Sequence, residues 1–268
     1  MTKKNIKELS IQVNLNGLSF CILNRSLNSI EFLNTTDFEQ KLTPFDTLNR
    51  LKTELSTNTV FSDDFDAVTV IHQNELATLV PKSLYNADHK ADYLKFNSKI
   101  LKTDFITEEA ISINDSINVY IPYVNINNYI FETFGAFIYK HSSTILIDNI
   151  LQRVKANITA EMFINVNNTT IELLIVDNGK LQLFNVFEYN TKEDFIYYIL
   201  FVFEQLQLDP ETTNIKLSGF INDGDELYSV LYTYVRHVSI IDSGFNFKVS
   251  DAIKKDNLHH NYLILNSF

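Results

Sequence analysis

The sequence predicts an α/β protein built from two copies of one β-rich unit. Two observations predict it: a block of strand, strand, strand, helix, strand near the start, and the same order about half a chain later. A third bounds it. At 268 residues, 45% hydrophobic and 21% charged, the chain is long enough to bury the cores of two such units.

In the first copy, residues 8–14 (ELSIQVN) and 18–24 (LSFCILN) alternate apolar with polar side chains. Asn16-Gly17 between them is the favoured central pair of a type I′ hairpin. Residues 29–33 supply a third strand. Thr43 then offers an N-cap, Pro44 a first helical residue and Asp46 an acid in the first turn. They open a helix with Phe45, Leu48, Leu51 and Leu55 at helical spacing, and residues 67–71 (AVTVI) read as a buried strand. Farther on, residues 82–95 have helical character, 112–118 form a hairpin candidate leading into 119–124, and 144–154 read as an amphipathic helix through Ile145, Ile147, Ile150, Leu151 and Val154.

The second copy begins with strands at 161–166 and 171–176, and a third at 181–186 after the turn Asp177-Asn178-Gly179. Thr191 and Asp194 form a capping box ahead of a helix carrying Phe195, Tyr198, Ile199, Val202, Phe203 and Leu206 on one face. Residues 214–217 (NIKL) are the closing strand. With only six Gly and four Pro, no flexible linker separates the copies. The expected boundary lies near Ile158, giving halves 1–157 and 158–268, the first with an inserted segment at about 82–135.

Composition excludes several classes of function. A net charge of -11 and a pI near 5.0 repel phosphate backbones and anionic lipid, so neither nucleic acid nor a membrane surface is an expected partner. No segment is long and apolar enough for a membrane span, and the first ten residues have no signal-peptide core. The single Cys21 lies among apolar residues and reads as a small hydrophobe in a reducing compartment. The expectation is a soluble, cytoplasmic protein. Gly-rich nucleotide fingerprints, nucleophile elbows and zinc-protease helices are missing. His259-His260 has no further ligand at a metal-binding spacing and reads as a surface pair. The acids of 62–66 and 222–226 read as turn or capping residues, and Asp88 and Asp92 as a solvated face.

Three loops carry a resemblance. The first hairpin reads Val13-Asn14-Leu15-Asn16-Gly17-Leu18-Ser19, the second Ile164-Asn165-Val166-Asn167-Asn168-Thr169-Thr170, and the late strand ends in Leu217-Ser218-Gly219-Phe220. With the duplicated element order, they resemble the actin-like ATPase superfamily of actin, sugar kinases, DnaK-type chaperones, FtsA and PilM, and specifically an uncharacterised bacterial family with a degenerate version of that fold. The resemblance implies two ribonuclease H-like halves, each a mixed sheet flanked by helices. In that superfamily an Asp and close-packed Gly residues of each hairpin hold nucleotide phosphates, and a Gly pair receives the adenosine. On this resemblance Asn14, Gly17, Asn165, Asn168, Gly219 and Phe220 are vestigial nucleotide-loop positions, because Asn replaces the acids and Phe220 replaces the second Gly.

The resemblance thus implies no catalytic residue, no cofactor and no metal. It describes a non-catalytic interaction or scaffold protein whose partner is another protein or a second copy of itself. A residual nucleotide binder, or weak ATPase or phosphotransferase, stays open as the alternative. The aromatic cluster Tyr120, Tyr123, Tyr129, Phe131, Phe134, Phe137 and Tyr139 is a candidate association surface, with core packing as the competing reading.

Overall fold

The first meander follows the alternation of its residues. In the computed structural model, which describes residues 5–155, 157, 159–242, 244–255 and 257–268, β1 (Lys7–Asn14), β2 (Gly17–Asn24) and β3 (Ser29–Asp37) pair antiparallel. The central residues of the first turn are Leu15 and Asn16, since Asn14 pairs with Gly17. The expected type I′ pair at Asn16-Gly17 is therefore not formed, and neither residue has a positive φ. Helix α1 (Pro44–Thr57) starts where its cap predicts, with Thr43 Oγ1 accepting from the Asp46 N–H. It buries Thr47, Leu51 and Leu55, whereas Phe45, expected on the core face, is 68% exposed. Complete burial of a side chain such as Leu51 contributes about 2 kcal/mol.

Strand β4 (Ala67–His72) lies parallel to β1. Next, β5 (Ala77–Pro81), α2 (Lys90–Lys95), β6 (Thr107–Ile111) and β7 (Ser116–Tyr120) build a three-stranded sheet in the order β5-β7-β6 over a small core of Val80, Leu94, Ile117, Val119 and Ile121. The hairpin expected at 112–118 joins β6 to β7, but its second strand ends at Tyr120. Helix α3 (Val124–Phe134) leads to β8 (Ile138–His141), parallel to β4, and α4 (Ser142–Val154) follows.

The second copy repeats this order: β9 (Glu161–Val166), β10 (Thr170–Asp177), β11 (Lys180–Glu188), α5 (Lys192–Gln205), β12 (Asn214–Gly219), α6 (Glu226–Tyr234) and β13 (His237–Ile240). The strand order β11-β10-β9-β12-β13 matches β3-β2-β1-β4-β8 strand for strand. Both middle strands bulge after their sixth residue, Ile22 and Ile175. Ile11 pairs with Phe20 and Val70, and Ile164 with Leu173 and Leu217, each set inside the core of its own copy. Asn178 (φ 50°) and Gly179 (φ 67°) do form a type I′ pair, and the Thr191–Asp194 capping box is complete.

Contacts divide the chain into one unit of Met1–Ile145, Phe245–Lys255 and Leu263–Phe268, and another of Leu146–Gly244 and Asp256–Tyr262. Ile158 itself lies outside the described residues. In the first unit, β14 (Lys248–Val249) pairs parallel with β3, and the hydroxyls of Ser10 and Ser267 meet at 2.7 Å. A last short helix, α7, spans Tyr262–Leu265. Among the described residues no helix is long and apolar enough to cross a membrane.

Candidate functional site

In open α/β sheets, ligands collect at the carboxyl ends of the strands, and Asn14 sits at that end of β1. Its Oδ1 accepts from the Asn16 N–H at 2.8 Å, the geometry of a turn-closing Asn. Its Nδ2 donates to Gln73 Oε1 at 3.4 Å, and Gln12 Nε2 donates to the same oxygen at 2.8 Å. Gly17 opens β2 beneath β3. A Cβ there would lie 2.8 Å from the Thr36 carbonyl oxygen, so the close strand, and not a positive φ, calls for glycine.

In the second unit a polar row crosses three strands. Asn165 on β9 donates through Nδ2 to Glu172 Oε2 on β10 at 2.7 Å and accepts from Ser218 Oγ on β12 at 2.9 Å. All three residues are buried. Asn168 is exposed at the hairpin tip beyond the Asn167 N–H to Thr170 O bond of 2.8 Å. The strand registers make Asn167 the counterpart of Asn14, and Gln12 the counterpart of Asn165. Asn16 O accepts from Phe38 N as Thr169 O accepts from Tyr189 N, so Asn14 and Asn165 occupy different places in the repeat. Glu172 belongs to no motif, and its one signal in the sequence is a lone acid within the apolar run of β10.

Gly219 ends β12 with φ +78°, and a Cβ there would fall 2.1 Å from the Val166 carbonyl oxygen. The Phe220 N–H donates to that same oxygen at 2.7 Å, and its ring meets the His260 ring edge-on at 5.9 Å. The histidine pair expected at the surface is instead partly buried against this loop. His259 Nε2 donates to Ile221 O at 2.7 Å, and His260 Nε2 lies 2.9 Å from Asn222 Oδ1. Burial and the neighbouring His259 push His260 below the ordinary histidine pKa.

A second polar cluster in the first unit had no motif to announce it. His72 and His141 are register partners at the ends of β4 and β8, both fully buried. The Tyr123 N–H donates to His72 Nδ1 at 3.3 Å, which leaves Nε2–H to face Asn127 Oδ1 at 2.9 Å. His141 Nδ1 takes the Ser143 N–H at 3.2 Å and lies 2.7 Å from Ser143 Oγ. Burial lowers His72 to about 4, and burial together with His72 lowers His141 to about 3.

Residues 1–238 match the family described as protein of unknown function DUF3822. The chain belongs to that family. No curated protein matched. Among solved structures, this DUF3822 chain is similar to a Bacteroides thetaiotaomicron protein with actin-like ATPase fold and unknown function, 22% identical at a TM-score of 0.80 over 91% of this chain and 94% of that one. It is similar also to the PilM–PilN type IV pilus biogenesis complex, 9% identical at a TM-score of 0.67 over 98% of each chain. A third is the ethanolamine utilization protein EutJ from Carboxydothermus hydrogenoformans, 6% identical at 0.51 over 99% and 90%. The fold is the actin-like ATPase fold.

Within this DUF3822 chain, Asn14, Asn165 and Asn168 offer neutral amides, and Gly17, Gly219 and Phe220 offer no polar side chain. Asn14 and Asn165 carry no charge for a metal ion, and among the described residues no group of three or more His, Cys, Asp or Glu is placed to hold one. Ser143 and His141 have the atoms of a nucleophile and its base, but both are fully buried and the Ser143 N–H shares the same ring nitrogen. Their geometry is that of a histidine capping the start of α4.

Proposed function

We propose that this DUF3822 protein is a non-catalytic member of the actin-like fold that acts by binding another protein or a second copy of itself, without nucleotide. One observation carries the reading. In the two hairpins where the superfamily holds phosphates, the amides present are neutral, and those of Asn14 and Asn165, which stand at different places in the repeat, are engaged by their own chain. A neutral amide neither charges a Mg²⁺ site nor acts as a base. Phe220 stands at the second glycine of the adenosine loop, packed on His260. That PilM is found in a complex with PilN supports a partner that is a protein.

Thermal unfolding with and without about 1 mM ATP and Mg²⁺ tests the loss of the nucleotide site. A ligand at tenfold its Kd stabilises by about 1.4 kcal/mol, and the expected result is an unchanged Tm. A Mg²⁺-dependent rise that Asn165→Ala abolishes would instead favour a residual nucleotide binder.

The aromatic segment narrows as an association surface. Tyr120 and Tyr123 are buried, Tyr129, Phe134, Phe137 and Tyr139 pack on the core of the first unit, and Phe131 is 62% exposed. Phe131→Ser is expected to weaken association seen by size exclusion with light scattering while changing stability by less than about 0.5 kcal/mol. A strict monomer that recovers no partner would count against the proposal.

A further inference from the structure

Strand β7 turns two faces to different chemistry. Ile117 and Val119 enter the small core with Leu94, whereas Asn118 and Tyr120 face the start of α4 and its neighbour β8. Glu109 on β6 is the register partner of Asn118, so their side chains share that second face. Glu109 Oε1 is served twice, by the His141 N–H at 2.9 Å and by the Tyr120 hydroxyl. Its Oε2 is buried and makes no hydrogen bond of good geometry, the Thr144 hydroxyl being the donor near this carboxylate. Asn118 Nδ2 donates to Ser143 Oγ at 2.8 Å and Thr144 Oγ1 at 2.9 Å, and Asn118 Oδ1 is likewise buried with no partner. Two paired residues thus each leave one bare acceptor on the same face, and a buried acceptor without a donor bears its whole desolvation cost.

We propose that Glu109 is a neutral carboxylic acid in the folded protein, a built proton-binding site whose Oε2–H donates to Asn118 Oδ1. One proton, taken from solvent on folding, satisfies both bare acceptors. Burial acts in the same sense, pushing Glu109 up, while the Tyr120 hydroxyl, Thr144, the His141 backbone and the charge of Lys140 pull it down. The titratable groups facing it are Tyr120 from β7, raised by burial and by Glu109, and His141 from β8, held neutral, with His72 behind it. On its own strand Glu108 is bound to Lys90. The charge of Lys140 opposes the neutral acid. The competing arrangement turns the Asn118 amide over, aims Nδ2 at an ionised Glu109 and has both hydroxyls donate to Oδ1.

Glu109→Gln separates the two, because its amide N–H₂ can donate where the acid proton does. A carboxyl raised by folding contributes stability that is present below its unfolded pKa of about 4.3 and lost as pH rises, since the unfolded chain then ionises. Glu109→Gln is therefore expected to match the native chain in Tm at about pH 4 and to exceed it by several degrees at about pH 8. Infrared spectra of the native chain at neutral pH should show a protonated-carboxyl C=O stretch that Glu109→Gln removes. A variant less stable than the native chain at about pH 8, an unchanged Tm there, or a native spectrum with no protonated-carboxyl band would overturn the assignment. The native spectrum decides by itself where the variant does not fold.

Discussion

Gly219→Ala is expected to cost the second unit at least about 3 kcal/mol, read as a drop in the urea midpoint or as failure to fold. Two penalties coincide there. The residue holds φ +78°, and the new Cβ would stand 2.1 Å from Val166 O and 2.8 Å from Val166 N. Those are backbone atoms of β9, the register partner of Gly219 in the centre of the sheet, so no side-chain rotation relieves the overlap. Gly224 is the control. Its φ is +86° with nothing within 4 Å of a Cβ, and Gly224→Ala is expected to lose only about 1 kcal/mol. Equal losses would show that the backbone angle alone governs Gly219. The difference bears on function, because a glycine demanded by its own sheet needs no ligand to explain it.

The repeat was legible because its signals are local. Thr43 and Thr191 cap their helices through Asp46 and Asp194, each three residues on, and both helices run 14 residues. Alternation then placed Ile11 and Ile164 in their cores. What misled was also local: Asn16-Gly17 has the composition of a type I′ turn, but Gly17 is needed inside β2, where β3 crosses within 2.8 Å of its would-be Cβ. Strand β14 could not be read, since two residues from the far end of the chain pair with β3 and carry no pattern of their own.

The polar clusters were hidden for a different reason. Asn165, Glu172 and Ser218 come from three strands, and each looks like an ordinary polar break in an apolar run until registry sets them side by side. His72 and His141 stand 69 positions apart in sequence and become neighbours only when β8 docks beside β4. Only the long-range pairing assembles such a cluster, and a single sequence carries no record of it.

That histidine pair gives the second large effect. Lowering the pH from about 7 to about 5 is expected to cost the fold about 2 kcal/mol for each of His72 and His141. Both are lowered on folding, to about 4 and about 3, by burial and, for His141, by His72. A depressed histidine stays neutral in the folded chain while its unfolded counterpart takes up a proton near 6.5. The stability it contributes is thus present above about pH 6.5 and lost as pH falls towards the folded value. A neutral Glu109 would act in the opposite sense over the same range, so the total slope is not the test. Urea midpoints of the double variant His72→Gln, His141→Gln should be lower at neutral pH, because buried hydrogen bonds to Asn127 and Ser143 are disturbed. Its stability should nonetheless fall much less between about pH 7 and about pH 5 than that of the native chain. A variant that keeps the native slope would mean that neither imidazole is held neutral, and that acid unfolds this protein through its carboxylates.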